Sequence, residues 1–207
     1  MLMEYSSETE KKIVEAATTV FLEKGMDGAR MEEIARNAGI NKALLHYYFR
    51  SKEKLYQEVL RNEVRHFYLR FFNSISPVDE FSEFLKHFIY NYIDQIKENP
   101  QVVRFIFWEI GRGGKLVRSV LREILSNQHT RIPHLISDKI NKAIAEKKIR
   151  PVDPQHLLFS LIGMSIFVFI AKPVIETLFE DIDVNSSSFI EKRKSEIFNL
   201  VWFGLKI

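Results

Sequence analysis

From Met31 to Lys54 the chain reads Met-Glu-Glu-Ile-Ala-Arg-Asn-Ala-Gly-Ile-Asn-Lys-Ala-Leu-Leu-His-Tyr-Tyr-Phe-Arg-Ser-Lys-Glu-Lys. The aromatic and basic side chains that follow Gly39 have no shared explanation in a folded core. The chemistry open to them is non-covalent recognition of a polyanion. Lys42 and Lys52 can neutralise phosphate, and both stand near helix N-termini, where a cation opposes the helix dipole unless an anion lies nearby. Arg30 can meet a phosphate or a guanine edge, and the hydroxyls of Tyr47 and Tyr48 can reach phosphate or bases. Leu44 beside the small Ala43 suits a thymine methyl, and His46 can face a base edge. The bland readings are solvated lysines and arginine, an exposed histidine, and Leu44 packed on a neighbouring helix. Adjacent Tyr47 and Tyr48, however, cannot both turn from one helix into one core.

Two short helices must position this surface. Met31, Ile34, Ala35 and Ala38 fall at i, i+3, i+4 and i+7, one apolar stripe. Gly39 then turns the chain through a left-handed conformation, and Asn41 is a good N-cap for the second helix. In that helix Leu45 and Phe49, with Ile40, face the core, while Ala43, Leu44 and Tyr47 point the other way. So short a helix is marginal alone. Support comes from a preceding helix, Glu8 to Lys24, with its stripe Ile13, Ala16, Ala17, Val20 and Phe21 closed by Gly25. This is the layout of a helix-turn-helix whose second helix enters a DNA major groove. Three such helices bury too little surface to be robust alone, so the bundle is expected to dock on the rest of the chain.

Residues 8–55 resemble the DNA-binding domain of the TetR family of bacterial transcriptional regulators. The resemblance lies in the Ile-x-x-Ala-Ala-x-x-x-Phe-x-x-x-Gly run from Ile13 to Gly25, then Ile34-Ala35, Ala38-Gly39-Ile40, Lys42, Leu45, Tyr47-Tyr48-Phe49 and Ser51-Lys52-Glu53. It implies an all-helical homodimer with a C-terminal effector domain and leaves the effector open. Three departures make the recognition surface individual: Arg30 where a Ser or Thr cap is usual, Ala43 where Gly or Pro is frequent, and Leu44 with His46 where Ser or Thr and a later Tyr are common. The DNA-contact set is therefore Arg30, Lys42, Ala43, Leu44, His46, Tyr47, Tyr48 and Lys52.

Charge supports this locally. The chain carries 30 Lys+Arg and 27 Asp+Glu, a net +3. Within Asn41–Lys54, Lys42, Arg50, Lys52 and Lys54 face only Glu53, which places positive charge where a DNA backbone would run. The 207 residues allow one sizeable core beside the small bundle, divided here as 1–51 for DNA binding and 52–207 for effector binding and dimerisation. The absence of cysteine excludes disulfides, thiolate metal sites and cysteine nucleophiles, and together with an N-terminus lacking signal-peptide character it fits a cytoplasmic protein.

Leu157–Ala171 is almost wholly apolar, but fifteen residues of helix reach about 22 Å, short of a roughly 30 Å hydrocarbon core. A helix apolar all round must be covered on every side, and Ser160 and Gly163 permit close approach. Phe189 to Leu205 is similarly rich in apolar residues. Helices at about 154–172 and 187–205 from each of two subunits are expected to make a four-helix dimer interface, the alternative being packing within one monomer.

Further helices are expected at 52–72, ending near Pro77, and at about 79–98, 100–110, 115–129 and 131–148. Their aromatics are dense. Most are core, but as a set they suit an apolar effector pocket drawn from Phe67, Tyr68, Phe88, Tyr92, Phe105, Trp108, Met164 and Phe167, with Tyr hydroxyls, the indole N–H and Glu109 as polar handles. Gly111-Arg-Gly-Gly114 lacks the spacing of a phosphate loop, the histidines lack metal-ligand spacing, and no Gly-x-Ser-x-Gly occurs. No cofactor or catalytic constellation is expected. The sequence reads as an all-α, effector-responsive regulator, most simply a repressor of a palindromic operator. The alternative is a helical small-molecule sensor without operator binding.

Overall fold

Apolar residues at helical spacing, punctuated by glycine and proline, dictate an all-α chain. The computed structural model describes residues 8–73, 80–126 and 132–207, except for the side chains of Phe72, Ile132 and Pro133. The described helices are α1 (Glu8–Gly28), α2 (Met31–Asn37), α3 (Lys42–Tyr48), α4 (Lys52–Asn73), α5 (Phe81–Glu98), α6 (Pro100–Gly111), α7 (Lys115–Ser126), α8 (Ile132–Ala145), α9 (Pro154–Ile170), α10 (Lys172–Leu178) and α11 (Ser187–Leu205). Among the described residues strand pairing is limited to one isolated antiparallel bridge, Ile149 with Lys206. The break expected near Pro77, and residues 127–131, lie outside the described residues. The short helix α10 is an addition to the sequence expectation. Lys172-Pro173 starts it, as proline is tolerated in a first helical turn.

Two compact units interleave along the chain: Met1–His66 with Gln101–Ile124, and Phe67–Pro100 with Leu125–Ile207. In the first, α1 to α4 are joined by α6 and α7. Ile13, Ala17, Val20, Phe21, Ile34, Leu45, Leu55, Val59 and Leu60 form the centre of the bundle, and Val14 is buried where the stripe had placed the half-buried Ala16. The support that three small helices need comes from α6 and α7, through buried Val102, Val103, Phe105, Val117, Val120 and Ile124. Tyr56 of α4 lies edge-on between Phe21 and Phe105, with ring centroids 5.1 and 5.2 Å away. Its hydroxyl donates to the buried Glu109 Oε2 at 3.1 Å. Burial, reinforced by the Glu109 carboxylate, raises the Tyr56 pKa, so the phenol stays a donor. Arg112 Nη1 meets Asp27 Oδ2 at 2.9 Å beside it.

Gly25 does not end α1 outright. It breaks the helical path at φ +64°, and one further turn runs to Gly28. The residue is constrained twice, since a Cβ there would stand 2.4 Å from Cη2 of Trp108. The indole of α6 lies flat against bare backbone.

In the second unit α5 packs against α11, α9 and α8, and α9 also meets α8, α11 and α10. Phe84, Leu85, Phe88, Ile89, Ile93 and Ile96 of α5 are buried with Ile136, Ile140, Leu157, Leu161, Val168, Ile190, Ile197, Val201 and Leu205. Lys194 is buried at this junction, its ammonium 2.6 Å from both Asp94 Oδ1 and Glu191 Oε1 and over the Tyr90 ring. Burial opposes the charge, but the two carboxylates outweigh it and raise the Lys194 pKa.

Among the described residues only one side of α9 is covered. Leu157, Leu161, Ser165 and Val168 face inward, while His156, Ser160, Gly163, Phe167 and Ile170 are exposed at i, i+4, i+7, i+11 and i+14. On α11 the same spacing runs through the exposed Glu196, Leu200, Phe203 and, just past its end, Ile207, while Phe189 and Arg193 in the same register are half-buried. Leu200 and Phe203 are 70% and 61% exposed. No single described helix is long and apolar enough to cross a membrane, and α9 with α10 is bent by 69°.

The Gly25 contact is testable. At φ +64° and ψ −177° Gly25 occupies a backbone region essentially confined to glycine, so Gly25→Ala adds a penalty of about 1–3 kcal/mol and drives a methyl into the indole. Urea unfolding should show a larger loss in the wild type than in a Trp108→Ala background, where only the backbone penalty remains. Equal losses in the two backgrounds would place the indole elsewhere in solution.

Candidate nucleic-acid interface

The recognition surface is built outward from two buried residues. In α3, Leu45 is fully buried and Phe49, its C-cap, nearly so. Asn41 caps the helix from an extended conformation, its Oδ1 accepting the Leu44 N–H at 2.8 Å. Gly39, at φ +68°, makes the turn that brings α3 round from α2. With Leu45 fixed inward, the 100° step of the helix dictates which neighbours stay wet. Lys42, Ala43, His46 and Tyr47 are exposed, Tyr47 at 69%, and Leu44 sits at the edge of exposure at 37%. Tyr48 is half-buried and meets Tyr47 edge to face, with centroids 5.4 Å apart.

The flanking cations are held in different ways. Arg30 precedes α2 in an extended conformation, with its carbonyl accepting from Glu33 and Ile34 and its side chain exposed. Lys52 is half-buried at the start of α4 and donates to the Ala29 carbonyl at 3.2 Å, which ties α4 to the turn between α1 and α2. A neutral carbonyl orients the ammonium without pairing it to a carboxylate. Lys42, by contrast, is ion-paired to Glu32 of α2. The hydrogen bond from Lys42 holds the Glu32 carboxyl below its ordinary pKa. Glu33 is likewise engaged, with Lys24 at 2.5 Å. Glu32 is the residue that sequence reasoning missed. Its carboxylate lies ten residues before Lys42, outside the basic strip Asn41–Lys54, and the turn at Gly39 brings it close.

The aromatic set divides. Phe71 contacts Phe88 and Tyr92 edge to face at 5.1 and 4.9 Å, and Phe67 meets Tyr92 at 6.5 Å. Gln95 Nε2 donates to the Phe67 carbonyl at 2.5 Å. Burial pushes the hydroxyls of Tyr68 and Tyr92 up to about 12, so both remain protonated. Met164 is half-buried on α9, and its carbonyl accepts from Arg193 at 2.8 Å. Three of the expected pocket residues are occupied otherwise: Phe105 packs on Tyr56, Trp108 covers Gly25, and Phe167 points outward from α9.

Residues 13–59 match the family model described as bacterial regulatory proteins, tetR family, and residues 61–205 match the YcdC-like protein C-terminal region. The HTH-type transcriptional regulator RutR of Escherichia coli K12 is 32% identical over 161 residues, which cover 75% of this chain and 71% of RutR. The chain belongs to the tetR family of bacterial regulatory proteins. As a member it is a DNA-binding transcriptional regulator with an N-terminal helix-turn-helix and a helical C-terminal region. A second relative is IcaR of Staphylococcus epidermidis, a negative regulator of the biofilm operon icaADBC, 26% identical over 151 residues that cover 70% of each chain. Among solved structures, AibR in complex with isovaleryl coenzyme A and operator DNA shares the fold at TM-score 0.68 and 18% identity, covering 93% of this chain and 97% of that one. The ketosteroid transcriptional regulator KstR2 of Mycobacterium tuberculosis does so at 0.66 and 17%, covering 99% and 97%. In this tetR-family chain the two family regions meet between residues 59 and 61, inside the unbroken helix α4.

The cap carries a measurable share of the local stability. Asn41→Ala should lower the unfolding free energy by about 1 kcal/mol, whereas Asn41→Asp should retain most of it. Chemical denaturation of the three proteins measures the difference.

Proposed function

We propose that the chain is a homodimeric repressor that grips a palindromic operator through α3 and its flanks and lets go when a small apolar or amphipathic effector binds the C-terminal region. The observation that carries this reading is the inward fixing of Leu45 and Phe49, which leaves Lys42, Ala43, Leu44, His46 and Tyr47 reachable on one face. Tyr47, His46 and Leu44 read base edges, while Lys42, Lys52, Tyr48 and Arg30 hold the backbone. Repression agrees with IcaR being a negative regulator, and operator binding together with ligand binding agrees with the AibR complex, which holds isovaleryl coenzyme A and operator DNA. Residues 1–51 serve DNA recognition, and 52–207 serve effector binding and association.

The second copy covers the exposed heptad-spaced faces of α9 and α11. Gly163 and Gly204 have open space where a Cβ would be, so helices can approach closely there. A two-fold pairing of these faces makes a four-helix bundle and fixes two recognition helices at half-sites one helical turn, roughly 34–36 Å, apart or at a wider even spacing. The effector site is centred on Phe67, Tyr68, Phe88 and Tyr92, with Met164 from α9. Helix α4 carries Lys52 and Tyr56 near one end and Phe67 and Phe71 near the other, so a ligand that moves its far end moves its DNA-proximal end. Only unequal affinity for the two arrangements achieves release, and coupling of about 1–3 kcal/mol gives a 5–150-fold change.

Operator fragments selected from random DNA, titrated with and without apolar ligands, test the switch. A ligand that binds tightly and leaves operator affinity unchanged refutes it. Lys52→Ala should weaken all sequences alike and flatten the salt slope by about one unit, whereas Leu44→Ser should change base preference. Leu200→Glu with Phe203→Glu should sediment as a monomer and lose most operator affinity. A doubly substituted protein that still sediments as a dimer would move the subunit interface off α11.

A further inference from the structure

The side chain opposite Lys42 has a role that the contact surface alone does not account for. Lys42 opens α3 on the face proposed to meet DNA, and its partner is no core residue but Glu32, on the exposed side of α2. Both side chains are more than half exposed, 53% for Lys42 and 64% for Glu32, so the pair is not needed to satisfy buried charge. Exposed pairs contribute little to folding. Glu32 makes no other ion pair among the described residues, and its acidity is set first by the Lys42 hydrogen bond, with Arg30 a lesser influence. It shares an open surface depression with Lys24, Gly28, Arg30, Glu33 and Arg36, where positive and negative groups alternate. A phosphate approaching Lys42 meets an ammonium already engaged by a carboxylate. It must displace that carboxylate or lie beside it.

We propose that Glu32 is a built-in competitor of the DNA phosphate for Lys42, so that it lowers the chain's affinity for DNA backbone in general and leaves discrimination to the base-facing residues of α3. The inference rests on the DNA-contact reading of Lys42. Its consequence is specific. While Lys42 is neutralised from within the protein, binding releases fewer counterions than the number of cations on the surface implies. Removing the Glu32 charge frees one full cation without adding any contact to a base. Non-specific and specific binding then strengthen together, and the ratio between them stays put or falls.

The experiment compares the wild type with Glu32→Gln, Lys42→Ala and the double variant on selected operator and scrambled duplexes, by fluorescence anisotropy over a series of KCl concentrations. Glu33→Gln serves as a charge-matched control, because its partner Lys24 lies outside the proposed contact set. Glu32→Gln should bind both duplexes about twofold to tenfold tighter at low salt, with a salt slope steeper by about 0.9. In the Lys42→Ala background the same change should yield a much smaller gain and no change in slope, since only general repulsion is left to remove. Glu33→Gln should leave the slope alone. Pairing is read without DNA by carbon-detected titration of the Glu32 carboxyl: its midpoint should rise toward the ordinary glutamate value in Lys42→Ala. Equal gains from Glu32→Gln with and without Lys42, or a Glu32 midpoint indifferent to Lys42, overturn the proposal while leaving DNA binding intact. A wild type that binds neither duplex overturns both the proposal and the reading beneath it.

Discussion

A seven-residue helix has too few internal hydrogen bonds to hold its own shape, so everything on α3 depends on the burial of Leu45, seconded by Phe49. Those two residues set the rotation of the helix about its axis. Rotation decides which side chains face water, and a 100° error would turn Leu44 or His46 inward in place of Leu45. The anchor works only because the surface beneath it is complete. Helices α1, α2 and α4 alone would leave Phe21 and Tyr56 partly open, and α6 closes them with Phe105 and Glu109. The DNA-binding bundle is thus stabilised by a segment some fifty residues further along the sequence.

Much of this was legible beforehand, for reasons that differ by residue. The stripe Met31, Ile34, Ala35, the turn at Gly39 and the cap at Asn41 are local signals, each written within four residues of where it acts, and each is found in the fold. The apolar runs of α9 and α11 also stood out, since nothing but helix accommodates them at that length. The features that a local sequence window does not encode are long-range or conditional. Trp108 and Phe105 read as pocket residues because aromatic density says nothing about which neighbour each ring will find. The indole from α6 that packs on Gly25 lies outside any sequence window around residue 25. Glu32 was invisible as a partner because the turn, not the sequence spacing, brings it to Lys42. Helix α10, at seven residues, carries too little periodicity to stand out in the sequence.

The two lysines that flank α3 show how one residue type can be given different electrostatic weight. Lys52 rests on a peptide carbonyl, which orients it without pairing it to a carboxylate. Lys42 rests on a carboxylate, which orients it and cancels most of its far field. The bundle is close to neutral overall despite its basic strip. Such a surface is poorly suited to clinging to arbitrary polyanions and better suited to discriminating among them, because backbone attraction contributes less and base-edge fit contributes more.

The stacking of Trp108 on Gly25 has one more consequence. The chain holds two tryptophans, and they fall in different compact units: Trp108 on the glycine backbone of α1, and Trp202 stacked on Phe198 in α11 with ring centroids 6.5 Å apart. Each unit therefore carries its own intrinsic fluorophore in its own surroundings, one against peptide and the other against a phenyl face. Emission from single-tryptophan versions would let events in the two units be timed separately, with no label added.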